Sequence, residues 1–135
     1  MKREPSSTDR YARREPCGNC PFLKSAPLGH WAPQEYLKLA DIEAREHGFG
    51  SVSFACHKDR LLPDDTRGAC VGWLLDQRRT GVRSIALRLR LSSEPGLMKQ
   101  FDEATGDERC YDSVTALVRA NLTADRKRHE RARRP

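Results

Sequence analysis

Cys17 and Cys20 form a C-x-x-C pair followed at once by Pro21. At that spacing two sulfurs can turn toward one point, and the proline stiffens the chain behind them. Cys56, followed by His57, and Cys70 complete the arrangement C-x2-C-x35-C-x13-C. Four thiolates from these stretches can hold zinc tetrahedrally, with His57 as an alternative ligand. Adjacent residues of an extended chain point to opposite sides, so Cys56 and His57 compete for one position rather than share it. The same four thiolates also suit a [4Fe–4S] cluster. A third use of the pair is thiol–disulfide exchange, in which one thiol attacks and the other resolves the mixed disulfide. That chemistry wants the pair between a strand and a helix, and YARREP before it is not strand-like. Cys110 has no Cys or His nearby in sequence and reads as an isolated thiol. Dinucleotide-binding, phosphate-loop and HExxH zinc-protease patterns are absent, and a binding module is expected before an enzyme.

The elements that would carry these residues are mostly helical. Pro33 suits a first helical turn and Gly48 a stop, with Tyr36, Leu37, Leu39, Ala40 and Ala44 between them, so a helix is expected over 33–47. Residues 51–55 alternate Val52 and Phe54 with small residues, and a short strand is expected to deliver Cys56 and His57. Cys70 opens a second helix with Val71, Leu74 and Leu75 on one side, ending near Thr80-Gly81. Residues 82–91 fit a strand or a helix, and their Leu, Ala and Arg content favours helix. Pro95-Gly96 reads as a turn. A last helix is expected over 109–128.

Composition limits the core. Of 135 residues 33% are charged and 37% hydrophobic, and only nine are aromatic. A core this small makes a metal staple valuable. No stretch is apolar enough for a membrane span, and MKREPSSTDRYARREP has no apolar run of a secretory signal. A cytoplasmic protein with reduced thiols is therefore expected. The net charge of +6 sits at the ends. Residues 1–15 carry five Lys/Arg against three Asp/Glu, residues 123–135 six against two, and the remainder fourteen of each sign. Such ends read as disordered basic arms able to bind nucleic acid or an acidic protein. Arg78, Arg79, Arg83, Arg88 and Arg90 form a second candidate nucleic-acid surface.

The runs PCGNCPF (16–22), HWAPQEY (30–36), FACH (54–57), CVGW (70–73) and IALRL (85–89) together resemble a family of small cysteine-rich proteins of unknown function from bacteriophages and actinobacteria. The resemblance covers residues 16–91. It implies that Cys17, Cys20, Cys56, His57 and Cys70 belong to one site, and it implies no reaction.

The sequence thus predicts a small α+β, mostly helical, metal-stapled single domain with three to four helices and a short strand element. A disordered arm (1–15) would precede the cysteine-rich metal-binding domain (16–122), with a disordered tail (123–135) after it. Zinc binding is the leading function. An iron–sulfur redox or sensor protein and a CxxC thiol oxidoreductase are the alternatives.

Overall fold

Five α-helices carry the fold of the computed structural model, which describes residues 9–45, 68–82 and 84–133. They are α1 (Pro33–Arg45), α2 (Val71–Arg79), α3 (Ile85–Ser93), α4 (Pro95–Glu103) and α5 (Val114–Arg133). Short 3-10 turns at Asp9–Tyr11 and Asp107–Arg109 precede the cysteine pair and α5 respectively.

The boundaries follow local chemistry. Pro33 occupies the start of α1, where its missing N–H costs nothing. Ser84 caps α3 by accepting from the Leu87 N–H, so the ambiguous 82–91 stretch is helical and begins at Ile85. Before it the chain reverses through Gly81 and Val82, both at positive φ. The reversal is pinned by Gln77, whose backbone oxygen accepts from the Val82 N–H and whose side-chain oxygen accepts from the Ser84 N–H.

One continuous core joins these helices. Tyr36 and Leu39 of α1, Leu74 and Leu75 of α2, Leu87 of α3, Leu97 and Phe101 of α4, and Leu117 of α5 are all buried in it. α1 packs along α5, while α4 lies against α2, α3 and the first 3-10 turn. Phe22 and Leu23, just after the cysteine pair, reach the same core.

This architecture corrects the predicted α+β, metal-stapled domain of three to four helices. There are five α-helices and no strand among the described residues, where the only extended pairing fully within view is a single bridge, Leu23 with Cys110. The strand expected over 51–55 lies outside the described residues. Nor does the described core rest on a metal staple: its twenty buried apolar residues form one cluster, and no group of three or more His, Cys, Asp or Glu among the described residues is arranged to hold a metal ion. Pro95-Gly96 is no turn between elements. It starts α4, because Pro at the first helical position is favourable and Leu97 and Phe101 follow four residues apart on one face.

Both ends of the described chain join the helical body. Residues 9–14 lie along α4: the Arg13 carbonyl accepts from Gln100 Nε2 at 3.0 Å, and the Arg14 carbonyl from the Thr105 N–H at 2.7 Å. Tyr11 packs over Gly96, where an added Cβ would stand 2.3 Å from the ring. Tyr11 and Arg10 both reach Glu94 at 2.5 Å, and Arg90 meets the other Glu94 oxygen at 2.7 Å. At the other end, α5 continues without a break to Arg133, so residues 123–133 are helical.

Candidate functional site

The C-x-x-C pair sits in a run of tight turns. The Cys20 N–H donates to the Cys17 carbonyl at 2.9 Å, Leu23 to Cys20 at 3.0 Å and Ala26 to Leu23 at 3.2 Å. The run is stitched to the stretch around Cys110, with Tyr111 N–H donating to the Phe22 carbonyl and Lys24 N–H to the Arg109 carbonyl, each at 2.9 Å. Cys110 is therefore a buried strut of this junction. Its thiol faces the Gly106 carbonyl at 3.6 Å, and burial, with the Asp107 charge, pushes that thiol up from its ordinary pKa.

Cys70 comes to the pair from the far side, as the N-cap of α2. Its side chain makes no capping hydrogen bond, and its sulfur lies 3.7 Å from that of Cys20. Both are buried, while Cys17 is only partly covered and adjoins Cys20. Gly72 makes the approach possible. A Cβ there would stand 2.6 Å from Phe22 Cβ and 2.7 Å from Cys20 Sγ, so only glycine lets the first turn of α2 lie against the cysteine turn.

The sulfurs shift each other's protonation. The Cys17 hydrogen bond pulls the Cys20 thiol down, and the Phe22 N–H adds to that pull. Both are outweighed by the hydrogen bond to Cys70, by burial and by the charge of Cys70, which together push Cys20 well above the ordinary thiol range. A buried Cys20 thiol held protonated is the opposite of an attacking thiolate, which needs a lowered pKa and access. A cation reverses this balance, because coordination deprotonates a thiol outright.

Of the predicted ligands, Cys20 thus touches Cys70 on one side and Cys17 on the other, and Cys56 and its rival His57 lie outside the described residues. Gly72 is the residue that sequence reasoning passed over. Its signal was a glycine two positions after a cysteine, among large apolar residues that otherwise fill the start of a helix.

The arginines of the second candidate surface have intramolecular work. Arg78 closes the end of α4 by donating to the Phe101 and Ala104 carbonyls at 3.1 and 2.9 Å. Arg79 bridges buried Asp76 at 2.8 Å, Asp107 at 2.6 Å and the Tyr111 carbonyl at 2.8 Å. Burial raises the Asp76 pKa against the opposing pull of Arg79. Arg88 donates to the Val82 carbonyl at 2.6 Å and Arg90 pairs with Glu94, while Arg83 lies outside the described residues. No helix among the described residues is long and apolar enough to cross a membrane.

A model described as a family of unknown function (DUF6283) matches residues 12–134. The match runs from the segment ahead of the cysteine pair to the end of α5, well past residue 91, where the sequence resemblance stopped. No curated protein and no solved structure matches the chain.

Proposed function

Because the chain belongs to this family of unknown function, its role is read from its own residues, and we propose that it is a metal-binding module whose Cys17, Cys20 and Cys70 take one zinc ion. The fourth thiolate in this reading is Cys56, assigned by the sequence pattern alone. The observation that carries it is the 3.7 Å between the Cys20 and Cys70 sulfurs. Two thiolates on one tetrahedral zinc, with bonds of about 2.3 Å, stand about 3.8 Å apart. Thiolates of a [4Fe–4S] cluster each bind a different iron and therefore stand further from one another, so the geometry favours a single ion. The neighbourhood suits it too: the first turn of α2 points its free N–H groups toward the end that Cys70 caps, and that end of a helix favours negative sulfur.

The test is elemental analysis of freshly purified protein with its absorption spectrum. One zinc per chain and a colourless protein are expected. Cys70→Ser should lower the stoichiometry, whereas Cys110→Ser should retain it, since Cys110 bonds elsewhere. Iron with visible absorption would replace zinc by a cluster. Metal-free protein that takes up no zinc on titration would overturn the reading.

A further inference from the structure

The second half of α5 is exposed on every side from Arg126 to Arg133. Most surface helices bury an apolar stripe, and this one does so only in its first half, through Val114, Leu117 and Val118, with polar Asn121 buried beside them. The helix then runs out past the body carrying cations. Arg128 is used internally, donating to the Leu28 carbonyl at 3.2 Å and so tying the 28–31 loop to α5. Arg119, Arg126, Lys127, Arg131 and Arg133 hold no ion pair or side-chain hydrogen bond among the described residues.

Their positions on the helix are ordered. At about 100° per residue, Arg119, Arg126 and Arg133 fall in one row at intervals of seven, and Lys127 and Arg131 form a second row about 100–140° around from it. Both rows lie off the buried stripe, the first on the open side of the helix and the second toward Leu28. Beside the second row a cavity of about 380 Å³ opens between Leu28 and the small side chains Ala120, Thr123 and Ala124, with Lys127 and Arg131 on its rim.

We infer that this outward face of α5 docks in the major groove of duplex DNA, with one cationic row along each bordering phosphate strand. A B-form major groove is about 12 Å wide and admits one α-helix flanked by phosphates on both sides. A single row would suit a flat acidic protein surface, and two rows on the flanks of one helix suit two strands. An anionic lipid surface would want an apolar face on the same segment, and 126–133 offers only Ala132. Glu130, between the rows, faces the groove floor, where a carboxylate accepts from a cytosine amino group. An RNA duplex fits poorly, because its major groove is too narrow to admit side chains.

The test is fluorescence anisotropy of the full chain with a labelled DNA duplex of about 20 base pairs, titrated at several salt concentrations. Five free cations predict a slope of log affinity against log salt of about −4 to −5, a loss of about 500-fold between 50 and 200 mM salt. Lys127→Gln with Arg131→Gln should reduce that slope by about 2 while leaving the thermal melt in place, since both side chains are exposed. Lys2→Gln with Arg3→Gln should leave the slope as it is. The inference is overturned if the α5 variant keeps the wild-type slope, if the slope follows Lys2 and Arg3 instead, or if an RNA duplex or polyglutamate binds as tightly as the DNA.

Discussion

Gly72→Ala separates a packing requirement from ordinary helix propensity. In an unencumbered helix the exchange of glycine for alanine gains up to about 1 kcal/mol. Here the new methyl would stand 2.6 Å from Phe22 Cβ, 2.7 Å from Cys20 Sγ and 3.0 Å from Phe22 Cγ. Ordinary carbon contacts lie at about 3.5–4.0 Å, so α2 and the cysteine turn must part by about 1 Å. Neither neighbour can yield cheaply, because Phe22 is 2% and Cys20 0% exposed and the nearest atom is a Cβ rather than the end of a flexible chain. Overpacking of this kind costs about 1–3 kcal/mol, and the middle of that range, about 2 kcal/mol, less a helix gain of up to about 1 kcal/mol leaves a net destabilisation of about 1–2 kcal/mol. For a chain of this size that lowers Tm by about 3–8 °C. Urea unfolding and calorimetry would measure it against Gly18→Ala, a position where an added Cβ meets nothing within 4 Å. If Gly72→Ala is as stable as Gly18→Ala or more so, α2 does not lie on the cysteine turn as described. The zinc content of the same variant should fall, since the exchange drives Cys20 away from Cys70.

Two further substitutions test the charged framework. Arg78→Met should cost about 1–2 kcal/mol in urea unfolding by stranding the Phe101 and Ala104 carbonyls, yet leave the salt slope of DNA binding intact. Weaker DNA binding with unchanged stability would contradict the role given to Arg78. Glu94 is held at about 2, below its ordinary 4.5, chiefly by the hydrogen bond from Arg90, against burial and with help from Tyr11 and Arg10. A carboxylate depressed in the folded state contributes stability above about pH 4.5 that is lost as the pH falls from there toward 2. The stability gap between wild type and Glu94→Gln should therefore be full at pH 7 and narrowed at pH 3, and a gap that does not change with pH would refute the pairing.

What could be read from the chain was what neighbours in sequence decide. α1 and α2 were legible because their apolar residues recur at helical spacing and their ends carry Pro33 and Thr80-Gly81. The helical choice for 82–91 held as α3, which starts three residues later because Ser84 supplies the cap. α4 was missed because Pro-Gly was taken as a turn when the proline was the first residue of a helix. The contact between Cys20 and Cys70 spans fifty residues, and no local pattern encodes which sulfur meets which. Gly72, which permits that contact, becomes meaningful only once Phe22 is seen opposite it.

Charge was legible as a total and opaque as an arrangement. The balance of fourteen cations and fourteen anions across residues 16–122 marked the body as neutral, and the structure gives a reason for that balance. Arg79 stands between Asp76 and Asp107, Arg90 holds Glu94, and Arg78 and Arg88 close backbone carbonyls. Arginines crowded in sequence are thus divided among separate intramolecular partners, Arg79 and Arg90 beside acids and Arg78 and Arg88 on backbone carbonyls. On α5 the reverse holds. Asp125 faces His129 at 3.5 Å, and Glu130 is the other acid of the exposed half, so most of its cations go unopposed. A field that steers a phosphate ligand has to come from charges that the fold does not consume. Among the described residues α5 gathers five such charges on one helix, where the sequence reading expected a helix to residue 128 and a disordered tail from 123.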